Sequence, residues 1–168
     1  MAATSVAKQA GSSAAEEQER PITRHLIALS TAVRVGISDG LLARGHHLTT
    51  SITHLVPNLP AEGLGMSALA ARIGFSLQRT GQLVQQLEDD GYIERIADPS
   101  DGRAKHVVYT RRGKQLLRHI DLLTEEATQR FTAALGKARF EKLHAELALL
   151  DREINGPQAA VHVVTTPE

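Results

Sequence analysis

Residues 66–93 read "MSALAARIGFSLQRTGQLVQQLEDDGYI" and admit few folds. Ala68, Leu69 and Ile73 fit the inner face of a short helix, and "IGFS" turns the chain at Gly74. Ser76 is placed to cap a second helix whose inner face is Thr80, Leu83, Val84 and Leu87, with Gly91 ending it. Two short helices joined by a tight turn containing glycine form a helix-turn-helix, whose second helix turns its outer face to the DNA major groove.

The flanking sequence extends this unit on both sides. After Gly91, "YIERIA" and "KHVVYT" have strand character, and "DPSDGR" between them concentrates turn formers, which predicts a β-hairpin. Upstream, Ile22, Leu26, Leu29, Val33 and Ile37 follow Pro21 at helical spacing and lead to Leu41 and Leu42, a long amphipathic helix broken at Gly45. A short helix from about Thr49 to Val56 must end near Pro57. Downstream, Thr110 caps a long helix with Leu116, Leu117, Ile120, Leu123, Ala127 and Phe131 on one stripe. A last helix carries Phe140, Leu143, Leu147, Leu150 and Ile154. The expected fold class is mainly α with a small β-hairpin wing.

Composition narrows the function. At 168 residues and 42% apolar, one domain with its own core is expected. Without cysteine there is no disulfide, thiolate metal site or thiol redox sensor. No run of eighteen apolar residues appears, and the first twenty residues lack the positive start and apolar middle of a secretory signal, so the expected location is the cytoplasm, with no membrane partner. The formal net charge is zero, which argues against nucleic acid until its distribution is considered. From Glu94 to Arg118, seven basic residues stand against three acidic ones, while acid collects at Glu16, Glu17 and Glu19 and at Glu141, Glu146, Asp151 and Glu153.

Enzyme readings are weak. The sequence has no cysteine nucleophile, no glycine-rich phosphate loop before a strand, no "HExxH" and no "GxSxG". No catalytic residue and no cofactor is assigned. The eight histidines, above all His46, His47 and His54, invite a metal reading, but a site needs three or four ligands and a fixed second shell. Polar or partly buried histidines are the commoner origin of such a group, and no metal ligand is assigned.

"LGMSALAARIGFS", "LVQQLEDDGYIER" and "DPSDGRAKHVVYTRRGKQLL" together resemble the MarR family of winged helix-turn-helix transcription regulators, from about Leu64 to Leu117. The last stretch carries the most specific signal: Asp-Pro, then Asp, basic residues, a strand, Tyr-Thr and a glycine. The resemblance implies a homodimer whose N- and C-terminal dimerisation helices hold two winged helices one DNA turn apart. Two long helices, each apolar along a stripe, also satisfy one another within a single chain, and the residues alone leave these two arrangements about equal. Five parts follow: a mobile arm at 1–20, N-terminal helices for dimerisation and effector binding at 21–57, a DNA-binding winged helix-turn-helix at 58–112, C-terminal dimerisation helices at 113–155 and a tail at 156–168.

Within this frame the DNA contacts expected are Ser76, Gln78, Arg79, Gln82 and Gln86 on the recognition helix, with Gln85 near the same face, and Asp101, Arg103 and Lys105 in the wing. Glutamine reads adenine and arginine reads guanine or grips phosphate. A solvated surface is the plain alternative, although four glutamines with no acid before Glu88 are unusual for one. The resemblance implies that Arg103 enters the minor groove and that Asp101 shapes the wing tip. Taken alone, "SDGR" is an ordinary tight turn. The chain departs from the family at Gly102, where a second basic residue is common, so fewer phosphate contacts and a shallower salt dependence are expected. Gly81 sits within the recognition helix at a cost of about 1 kcal/mol relative to alanine. Arg111, Arg112 and Lys114 begin a helix, where the macrodipole disfavours cations, a conflict that a phosphate or an acidic side chain would relieve. The family's small effectors, often aromatic anions, bind between the dimerisation helices and the winged helix, which makes His25, Arg34, His46 and His54 candidates by position.

The expected function is a dimeric regulator released from a pseudo-palindromic operator by a small effector. The alternatives are a ligand- or metal-binding module without an operator and an architectural DNA-binding protein with little sequence preference.

Overall fold

The computed structural model describes residues 21–47, 49–97 and 105–156. In order they form α1 (Ile22–Ala43), α2 (Thr50–Leu55), a 3-10 turn (Val56–Asn58), β1 (Leu64–Gly65), α3 (Met66–Ile73), α4 (Leu77–Asp89), β2 (Ile93–Ala97), β3 (Lys105–Tyr109), α5 (Arg111–Leu135) and α6 (Lys137–Asn155). The expected arm and all but the first residue of the tail lie outside the described residues, as do Asp98, Asp101, Gly102 and Arg103. The chain divides into two compact units between Gly36 and Ile37, inside α1.

In the smaller unit the described residues are the start of α1. Its residues are exposed except Val33 and Gly36, which are partly covered. By length and composition alone, α1 is long and apolar enough to cross a membrane.

The larger unit holds the core. Local chemistry sets its elements: the Thr49 side chain accepts from the Ile52 amide to start α2, and the Ser76 side chain accepts from the Arg79 amide to start α4. Gly74 ends α3 in the left-handed region, at φ 77°, a conformation that strains any residue with a Cβ. The helix-turn-helix, the hairpin partners and the Thr110 cap therefore stand where the spacing predicts them. The sheet has a third strand that the sequence reading lacks: β1 pairs antiparallel with β3, Leu64 opposite Val107, so the order is β1-β3-β2. Two residues are too short for a periodic signal.

Leu69 and Ala70 carry the buried face of α3, with Ile73 packed beside them, and Ala68 is exposed. The expectation for Ala68 is thus corrected: with α3 starting at Met66, positions 69, 70 and 73 form the stripe, and 68 falls outside it. Ile52, Leu55, Leu83, Val84, Leu87, Tyr92, Ile93, Val107, Tyr109, Leu116 and Leu117 join one core, which ties α2 and α5 to the winged helix.

Thr80 stands in that core with no exposed surface, and its Oγ1 has no hydrogen-bond partner among the described residues. A buried hydroxyl without a partner destabilises, whereas valine keeps the shape without the polar atom. Thr80→Val is expected to raise unfolding stability by about 1 kcal/mol, read from urea midpoints. A lower midpoint would show that the hydroxyl is satisfied.

Candidate nucleic-acid interface

The recognition helix α4 buries Thr80, Leu83, Val84 and Leu87 and exposes Gln78, Arg79, Gln82, Gln85 and Gln86. These exposed residues do not all have the same freedom. The Ser51 hydroxyl, fully buried on α2, donates to Gln86 Oε1. Gln85 donates to Asp89 at 2.8 Å and accepts from Arg95. Arg95 in turn clamps Glu88, its amide donating to Oε1 at 3.2 Å and its Nε to Oε2 at 2.9 Å. The Arg95 side chain holds the Glu88 carboxyl below the usual carboxylate range. The C-terminal half of the outer face is thus engaged within the chain. Gln78 and Gln82, in the N-terminal half, have no hydrogen-bond partner among the described residues, and the Arg79 guanidinium rests on the Phe75 ring, 5.0 Å from its centroid.

The wing is β2 and β3, paired from Ile93 opposite Tyr109 to Ala97 opposite Lys105. Lys105, exposed, is the first described residue after the wing tip. Arg111, Arg112 and Lys114 are exposed in the first turn of α5, which contains no acid. Among the described residues none of the three makes an ion pair; Arg112 instead lies 4.7 Å from the Tyr92 ring centroid and donates to its hydroxyl at 3.3 Å.

Residues 59–104, which run from just after the 3-10 turn to the residue before β3, match the MarR family model. No curated protein matches the sequence. Among solved structures, a transcriptional regulator of Thermotoga maritima is 25% identical with a TM-score of 0.61, over 80% of this chain and 95% of that one. CouR from Rhodococcus jostii RHA1, bound to p-coumaroyl-CoA, is 24% identical with a TM-score of 0.59, over 82% of this chain and 93% of that one. A MepR mutant of S. aureus, bound to an oligodeoxyribonucleotide, is 19% identical with a TM-score of 0.57, over 81% and 99%. The segment from Leu59 to the wing tip is thus similar to the MarR family, and the fold is that of winged-helix transcription regulators.

The chain also contains a buried polar network that no spacing in the sequence announces. His46, just past α1, is 4% exposed. Its Nδ1 lies 3.1 Å from the Tyr92 hydroxyl and its Nε2 lies 2.8 Å from His119 Nδ1 on α5. Both ring nitrogens are therefore engaged, and an effector reaching His46 would have to displace one partner. His54, at the end of α2, instead packs at a tilt against Phe75 with ring centroids 5.4 Å apart. His25 and Arg34 lie on the exposed start of α1, in the other unit. Among the described residues no group of three or more potential ligands is placed to hold a metal.

Burial, then the neighbouring His119 and Arg112, lowers the His46 pKa below its ordinary 6.5. Between the two values the unfolded chain binds a proton that the folded chain refuses, so stability rises with pH there and is lost as the pH falls below about 6.5. Urea midpoints at pH 5 and pH 7.5 are expected to differ in that sense, by less in His46→Asn than in the parent. An equal difference in both proteins would remove His46 from the cause.

Proposed function

We propose that this chain is a homodimeric DNA-binding transcription regulator, released from a pseudo-palindromic operator by a small effector. The observation that carries the reading is the outer face of α4, polar and free of acid over Gln78, Arg79 and Gln82, opposite an inner face buried over Thr80, Leu83, Val84 and Leu87. That chemistry fits base edges in the major groove, with Ser76 at the helix start, Lys105 and Arg103 gripping the backbone and minor groove, and Asp101 shaping the tip. Gln86 belongs to the interface through its link to Ser51, where it sets the helix against α2. The oligodeoxyribonucleotide on the MepR mutant and the p-coumaroyl-CoA on CouR support a DNA partner and a small-molecule partner. The effector contacts are those named from the sequence. The exposed apolar residues of α1 and α6 find their cover in a second copy rather than in lipid, and the protein is cytoplasmic and non-catalytic.

Fluorescence anisotropy with duplex DNA from upstream of its own gene tests this. Tight, salt-sensitive binding that survives competitor DNA is expected, with Arg103→Ala weakening it by about tenfold. Binding that competitor DNA abolishes, or none at all, would overturn the reading.

A further inference from the structure

Three arginines of the winged-helix region lie against neighbouring side chains, and they differ in what is left over. Arg95 spends its donors on Glu88 and Gln85. Arg112 gives one to the Tyr92 hydroxyl. Arg79 is held by the ring alone: its guanidinium carbon sits over the Phe75 ring, 5.0 Å from the centroid, and its N–H groups have no acceptor among the described residues. A guanidinium held over a ring still has its five donors to give. The cation is placed and its donors are free.

This arrangement has a cost that the chain alone does not recover. Arg79 lies in the first turn of α4, where the macrodipole disfavours a cation, and ordering an arginine loses rotamer freedom. Phe75 stands in the turn just before that helix, and His54 from α2 packs on it, so the ring is supported from a second element. We propose that Phe75 is a positioning residue for base recognition: it fixes Arg79 so that the guanidinium edge meets one base pair, which rests on the DNA-binding reading above. The partner this fits is a base edge with two adjacent acceptors, the N7 and O6 of a guanine. An arginine released from the ring would still find phosphates, but its choice among bases would fall, because orientation and not charge would have been lost.

The experiment selects duplexes from a random library with the full-length protein and measures affinity for the best sequence and for each single base-pair change. If the unmodified protein selects no sequence, the DNA-binding reading fails. If it does select one, Arg79→Ala is expected to flatten the preference at one position of each half-site. Phe75→Leu, which keeps an apolar side chain but removes the ring, is expected to lower the preference at that same position by about threefold, with affinity for random duplex unchanged. Phe75→Tyr keeps the ring and the preference. In an Arg79→Ala background, Phe75→Leu adds nothing. Should Phe75→Leu not fold, Phe75→Met fills the same gap and carries the same expectation. An equal loss on all duplexes, a loss at a different position, or an Arg79→Ala profile identical to the parent would each overturn the proposal while leaving the operator established.

Discussion

Gly113→Ala is expected to destabilise the fold by about 3 kcal/mol, although alanine is the better helix former by about 1 kcal/mol. Gly113 is buried in the first turn of α5, and a Cβ there would stand 1.9 Å from the Tyr92 carbonyl oxygen and 2.9 Å from the Tyr109 ring. The carbonyl has little room to yield, because it accepts from the Thr110 amide at 3.0 Å, while the Thr110 hydroxyl fixes the preceding peptide by donating to the Gly91 carbonyl at 2.7 Å. That hydroxyl also caps α5 by accepting from the Gly113 amide at 3.1 Å. Moving the helix to admit a methyl group would thus break the joint between α5 and the start of the wing. Urea or thermal unfolding measures the loss, which corresponds to about 10 °C for a domain of this size. Gly81→Ala is the internal control. Nothing lies within 4 Å of a Cβ there, so the same substitution is expected to stabilise by up to about 1 kcal/mol. Equal effects at the two glycines would show that propensity, not contact, governs both.

The contrast between these glycines shows what a sequence can and cannot display. Both stand in helices, and only the folded chain reveals that one faces a pinned carbonyl. Features within a few residues are legible: the Gly74 turn, the Ser76 and Thr110 caps and the alternation of β3 follow from local backbone chemistry. Ala68 was misplaced because alanine tolerates either side of a helix and gives no contrast between them. The polar face of α4 was legible as a face, but not its division into a half tied to Ser51 and Arg95 and a half left open. That division depends on residues brought together by the core. His46 and His119 lie 73 positions apart, a separation that no spacing rule covers. The contact of Arg79 with Phe75 spans only four residues, yet a turn separates them, and periodic patterns do not extend through turns.

If the chain forms the proposed homodimer, replacing both Leu147 and Leu150 by aspartate is expected to abolish dimerisation at micromolar concentration and to lower affinity for the proposed operator by more than about a hundredfold, with little change in the stability of the winged helix. None of the 19 residues of α6 is buried, so the helix adds nothing to the core that holds α2 to α5. Its apolar stripe is nevertheless regular: Leu143 is 43% exposed, Leu147 36%, Leu150 43% and Ile154 71%. A helix that pays for such a stripe in water needs a partner surface, and each leucine covered contributes about 2 kcal/mol. A two-fold interface uses every substituted position twice, so two aspartates per chain would place four carboxylates in it, each costly to bury. The effect reaches DNA through linkage, because one winged helix bound at a half-site gives its tethered partner a high effective concentration at the other. Sedimentation velocity reports the monomer, anisotropy on full and half operators reports the lost linkage, and urea midpoints report the intact core. A double variant that remains dimeric would place the cover of this stripe elsewhere. One that becomes monomeric yet binds the full operator as tightly as the parent would separate dimerisation from DNA recognition altogether.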